Sequence, residues 1–175
     1  MMTGIFTSGE VTTSHSTRNM SGLVKQTKSD NAGISDMRGS TMTYYMAAKL
    51  RVPFDDAIAR TEAALKTEGF GVISRIDIQQ TLKSKIDVDF RPYTILGACN
   101  PGLAHEALQL EDKVGLMLPC NVIVQQSDSG EVEVAAIDPV ASMQAIDNPE
   151  LTKAAQVVRE KLARAIGRLS EPAAS

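Results

Sequence analysis

From residue 43 onward, apolar and polar positions follow a series of short, well-punctuated periods. "TYYMAAKLR" (43–51) reads as a first strand, helped by its paired tyrosines. Pro53 fits the first turn of a helix, with Asp55 and Asp56 near its positive end. Phe54, Ala57, Ile58, Ala64 and Leu65 then share one helical face, and Gly69 supplies the stop. "FGVISRIDI" (70–78) alternates, placing Phe70, Val72, Ile76 and Ile78 on one side and Arg75 and Asp77 on the other, as in a half-buried strand. A short helical turn over "QQTLKSKI" follows, then strands over 91–99 and 115–126. Asp128-Ser129-Gly130 turns the chain into a fifth strand, "EVEVAAID". Asn148-Pro149 opens a long helix with an apolar stripe running from Leu151 to Leu169. The order β-α-β-β-β-β-α, with short links between the later strands, predicts an α+β fold: an antiparallel sheet with helices packed on one face.

The first 41 residues break this rhythm. They hold 14 Ser or Thr and 5 Gly with no sustained period, a composition that cannot bury enough surface to offset ordering entropy. We expect a disordered tail over 1–41, a single domain over 42–170, and a frayed end over 171–175. Met20, Met37 and Met42 offer alternative starts, so the tail also reads as an over-extended start.

The chain has 175 residues, 43% of them hydrophobic and 22% charged, enough for an ordinary core without staples. A net charge of −3 disfavours phosphate-backbone binding, and 4% aromatics give no stacking platform. We expect no nucleic-acid partner. No run approaches the roughly 18 apolar residues of a membrane span, and two cysteines do not make a disulfide framework. The expectation is a cytoplasmic protein without membrane partners.

Chemistry concentrates at two Cys-Asn pairs. Asn100 precedes Pro101 and a helical "PGLAHEALQL", so Asn100 is expected to cap that helix, with Cys99 ending the preceding strand. The second pair is less easily absorbed. Pro119-Cys120-Asn121 interrupts the apolar "GLMLPCNVIV", which predicts an edge strand or a bulge there. Alternation puts Cys120 on the core side with Leu116, Leu118, Val122 and Val124, and Asn121 opposite. Cys120 reads either as a small core residue or, with Cys99 and His105, as part of a soft-ligand metal or haem site or a redox dithiol. Tyr93 and Arg91 border the same strand and are candidates for a pocket mouth. No phosphate-binding loop, GxGxxG or GxSxG occurs.

"GFGVISRIDIQQTLKSK", "RPYTILGACNPGLAHEAL", "GLMLPCNVIV" and "AAIDPVASM" together resemble the family known as domain of unknown function 302, over about residues 43–170. The resemblance implies a small α+β domain of the broad TATA-binding-protein-like class, seen as a dimer, and implies no activity. Cys99, Asn100, Pro101, Pro119, Cys120 and Asn121 fall at its signature positions. The leading expectation is therefore a homodimeric, non-enzymatic ligand-binding or sensor module with a small-molecule, metal or haem pocket at Cys99, Asn100, His105, Pro119, Cys120, Asn121 and Tyr93. The alternatives are a thiol-dependent or metal-assisted redox enzyme using Cys99 and Cys120, and a structural homodimerisation domain. The cofactor, if any, is not readable.

Overall fold

The computed structural model describes residues 43–170. The Ser/Thr-rich segment 1–41, the alternative start at Met42 and the end at 171–175 lie outside the described residues. Five strands form one antiparallel sheet: β1 (Tyr45–Leu50), β2 (Gly71–Asp77), β3 (Tyr93–Cys99), β4 (Cys120–Gln126) and β5 (Val132–Ile137), in the spatial order β1-β5-β4-β3-β2. The helices are α1 (Phe54–Thr67), α2 (Ile78–Ile86), α3 (Pro101–Leu110), α4 (Pro139–Ser142) and α5 (Pro149–Leu169). The expected α+β fold is what the chain adopts.

Three helices begin in the same way. Asn100, Asp138 and Asn148 each place a side-chain oxygen where it accepts backbone N–H groups of the following turn, and each is followed by proline. The proline's missing donor is one the first turn would leave unpaired anyway. Asn148 also donates from Nδ2 to the Leu110 carbonyl at 3.1 Å, tying the start of α5 to the end of α3.

One face of the sheet is sealed by α1 and α5. Ala48, Leu50, Leu96, Ala98, Cys120, Val122, Val124, Val132, Val134 and Ala136 point into that interface and meet Ile58, Leu65, Leu162 and Ile166. A smaller cluster, Ala107, Val114, Met143, Leu151 and Ala155, lies under α3 and the first half of α5. The C-terminal end of α1 is locked to α5 by Glu68. Its carboxylate is buried and accepts from Arg164 Nε at 3.0 Å and Arg168 Nη2 at 3.2 Å. Burial alone would push this carboxyl up, but the hydrogen bonds and charges of the two arginines hold it below the ordinary carboxylate value.

Two sequence expectations are corrected. The segment 115–126 is not one strand: residues Asp112–Met117 form a 3-10 helix, Leu116 is 83% exposed, and β4 starts at Cys120. Pro119 therefore needs neither an edge nor a bulge. It stands one residue ahead of a central strand, after a cis Leu118–Pro119 bond, where no ladder donor is required. The second correction concerns β2. The pairing register shifts between Val72 and Ser74, so Ile73 is inserted and the alternation reverses beyond it. Val72 stays opposite Ala98, on the core side, whereas Ile76 pairs with Ile95 on the outer side and is 46% exposed. A half-buried strand was expected; an edge strand exposed along most of its length is found.

Gly97 is the point of closest approach on the outer side. A Cβ added there would overlap Ser74 Oγ and lie 2.7 Å from Pro119 Cγ. Gly97→Ala is expected to destabilise the fold by about 1–3 kcal/mol, the range for overpacking, as a lower denaturant midpoint; an unchanged midpoint would contradict this crowding. For Glu68, the depressed native pKa means that its contribution is complete above the unfolded value and lost as pH falls through the native one. Glu68→Gln should therefore lower the midpoint near neutral pH and flatten its decline in acid. A parallel decline in both proteins would contradict the ion-pair account.

Candidate functional site

The seam between the two core clusters is incompletely filled. A partly open apolar cavity of about 30 Å³ lies there, bounded by the ends of β3 and β4, by α3, and by the first half of α5. Its existence follows from side-chain size. Ala98, Ala104, Ala107, Ala154 and Ala155 all face it, and alanines leave space that leucines at the same positions would occupy. The volume exceeds the roughly 10–15 Å³ that one water needs, yet the walls offer almost no polar partner, which leaves such a space dry.

Both cysteines face this cavity, and both are free thiols. Cys120 reaches it by strand alternation. It pairs with Ala98 and shares the inward side with Val122 and Val124, as expected from the sequence. Cys99, by alternation, belongs to the outward side with Tyr93, Ile95 and Gly97. As the last residue of β3, where the chain departs into α3, it is half-buried and lines the cavity all the same. Burial pushes the Cys120 thiol up to about 11, and the neighbouring Cys99 adds to the rise. Asn100 also borders the cavity while its Oδ1 accepts the Leu103 N–H at 3.2 Å. The capping role read from the sequence is the one it performs.

The other expected site residues are elsewhere. His105 is on the exposed side of α3 and does not line the cavity; the positions of that helix that do are Leu103, Ala104 and Ala107. The Cys99, His105, Cys120 ligand set is thereby corrected, since the helical turn that aims 103, 104 and 107 inward aims 105 out. Among the described residues, no group of three or more His, Cys, Asp or Glu is placed to hold a metal ion. Asn121 emerges on the opposite face of the sheet, in an open groove of about 260 Å³ with Tyr45, Ile123 and Ala135. Pro119 packs over Gly97. Tyr93 begins the strand that Cys99 ends, about 20 Å away at strand rise, and forms a cluster with Phe90 and the Arg91 guanidinium 5.6 Å from its ring centroid. The cavity, at about 30 Å³, is an order of magnitude below the roughly 300–1,000 Å³ of pockets for drug-sized ligands.

Sequence reasoning missed Met143. It follows α4, is 7% exposed, and lines the same cavity. The Asp138-Pro139 start of α4 repeats the Asn-Pro signature and was readable; that the helix end would line the same cavity as Cys99 and Cys120 was not.

The family described as Domain of unknown function DUF302 matches residues 46–169, nearly the whole of the sheet and helices above. The chain belongs to the DUF302 family. A solved structure, an uncharacterised conserved DUF302 protein from Bacillus stearothermophilus, is similar with 29% sequence identity and a TM-score of 0.68, covering 72% of this chain and 98% of that one. No curated protein matches the chain. Among the described residues of this DUF302 chain, no helix is long and apolar enough to cross a membrane.

In this DUF302 chain the folded state holds the Cys120 proton more tightly than the unfolded state does. The associated stability is complete below the ordinary thiol value of 9.0 and disappears as pH rises through about 11. The unfolding midpoint of the wild type should fall across that window more steeply than that of Cys120→Ala. Iodoacetamide near neutral pH should label Cys99 in the native protein and Cys120 only after unfolding. Equal labelling of both native thiols, or superimposable pH profiles, would contradict the buried placement of Cys120.

Proposed function

We propose that this DUF302 domain is a non-enzymatic binding module whose site is the cleft between α3, α5 and the adjoining ends of β3 and β4. The observation that carries this reading is an apolar cavity lined by two free cysteines. Its walls match a compact apolar or sulfur-seeking group of a few heavy atoms. Among the described residues that form them, none brings a charged side chain to a carboxylate, phosphate or sugar. The thiol-enzyme alternative draws less support, because a thiol held up to about 11 is almost wholly protonated at neutral pH, and the thiolate is the nucleophile.

Xenon, a small apolar probe, tests the cleft directly. Under xenon pressure, backbone amide resonances of Ala98, Ala104, Ala155 and Cys120 should shift together in the wild type. They should stop shifting in Ala104→Leu, which fills the half-exposed wall. Shifts scattered over the surface, or unchanged in the variant, would overturn the reading.

A homodimer is the second reading, favoured by a separate observation. The outer face of the sheet leaves Tyr45 and Ile76 exposed and Ile95, Ile123 and Ile137 only half-covered. A contiguous apolar face of this kind suits burial against a second copy. Light scattering at micromolar concentration should give twice the chain mass, and Ile123→Glu should give the monomer. A monomeric wild type would remove this reading.

A further inference from the structure

Three sulfur-bearing residues line the same cavity, and each arrives from a different element. Cys99 ends β3, Cys120 begins β4, and Met143 follows α4. The antiparallel pairing of Ala98 with Cys120 sets the two thiols one residue apart in stagger, at adjoining strand ends. From these features we propose that the cleft takes one soft monovalent metal ion, copper(I), held by the sulfurs of Cys99, Cys120 and Met143. The inference rests on the reading of the cleft as a binding site and names the class of ligand it selects.

The selection follows from the donor chemistry. Thiolate and thioether are the ligands that favour copper(I), whereas magnesium and calcium require several oxygens. Among the described residues, the only oxygen or nitrogen side chain on the cavity wall is that of Asn100, whose oxygen is already engaged by the Leu103 N–H. Structural zinc sites take four ligands, commonly including histidine, and His105 points away. A low-coordinate ion is the one an all-sulfur, three-donor wall can satisfy.

The charges and protons balance. Binding forms a bond from Cys99 Sγ to the ion and breaks its S–H, the proton leaving through the half-exposed mouth. With that one thiolate the complex is neutral, which an apolar cavity tolerates. A second bond, from Cys120 Sγ, releases a second proton and leaves a charge of −1. The start of α3, immediately after Cys99, presents the positive end of a ten-residue helix to that charge. Met143 Sδ supplies a lone pair and loses nothing. Copper stays in the +1 state throughout, so no oxidant or reductant is needed.

The test uses the reduced full-length chain under anaerobic conditions, titrated with copper(I) against bicinchoninate as a coloured competitor. One copper(I) per chain is expected, with a sulfur-only ligand shell by X-ray absorption. Cys99→Ser and Cys120→Ser should each abolish competition. Met143→Leu, which preserves volume and apolarity, should weaken binding by about 10–100-fold, the scale of a supporting-ligand loss, with an unchanged thermal midpoint. Met117→Leu, at an exposed position away from the cavity, should bind as the wild type does. A chain that leaves copper(I) with the competitor, a nitrogen-containing shell, or Met143→Leu binding at full strength would overturn the proposal. If copper(I) is refused while xenon still enters the cleft, the metal assignment falls and the binding cleft stands; if neither enters, both fall.

Discussion

The register between β3 and β4 is the constraint from which the interior follows. With Gly97 opposite Asn121 and Ala98 opposite Cys120, the thiol faces the helices and the amide faces out. Side chains alternate with a period of two, so a slip of one residue would exchange them, burying an amide and exposing Val122 and Val124. Two features hold the register. Pro119 stops the ladder one residue before Cys120, because it has no donor to give. Gly97 leaves room for Pro119 and Ser74 where any larger residue would push the strands apart.

The cavity is a consequence of how two helices divide the space above that sheet. The second half of α5 packs with α1 on the large cluster, and its first half, with α3, covers the small one. Where the clusters meet, the helices are lined with alanine, and close approach of backbones substitutes only in part for side-chain volume. The result is a hollow lined by sulfur-bearing residues of three separate segments. Fold and site are thus linked by apolar packing.

The sequence carried the local parts of this architecture well. Asn-Pro openings, the positive-φ stop at Gly69 and the Asp128-Ser129-Gly130 turn are local grammar, and each sits where its chemistry requires. Alternation placed Cys120 inward and Asn121 outward because β4 is regular. It failed wherever regularity failed. An inserted Ile73 reversed β2, and the continuous apolar run before Pro119 concealed a 3-10 helix with Leu116 in solvent. The candidate site divided on the same line. Cys99, Asn100 and Cys120 are neighbours through strand pairing, whereas His105 belongs to a helix whose rotation a single apolar count does not resolve. Met143 enters through tertiary packing alone, which no spacing in the chain encodes.

Cys99, Cys120 and Met143 all line one apolar hollow. Long-wavelength diffraction from crystals of the reduced chain, phased to show anomalous sulfur peaks, measures this without any assumption about ligands. The account predicts peaks for Cys99, Cys120 and Met143 around a common void between α3 and α5, with the two thiol peaks within about 5 Å, a span that shared coordination can bridge. A Cys99 peak on the far face of the sheet, or a void filled by side chains, would contradict it.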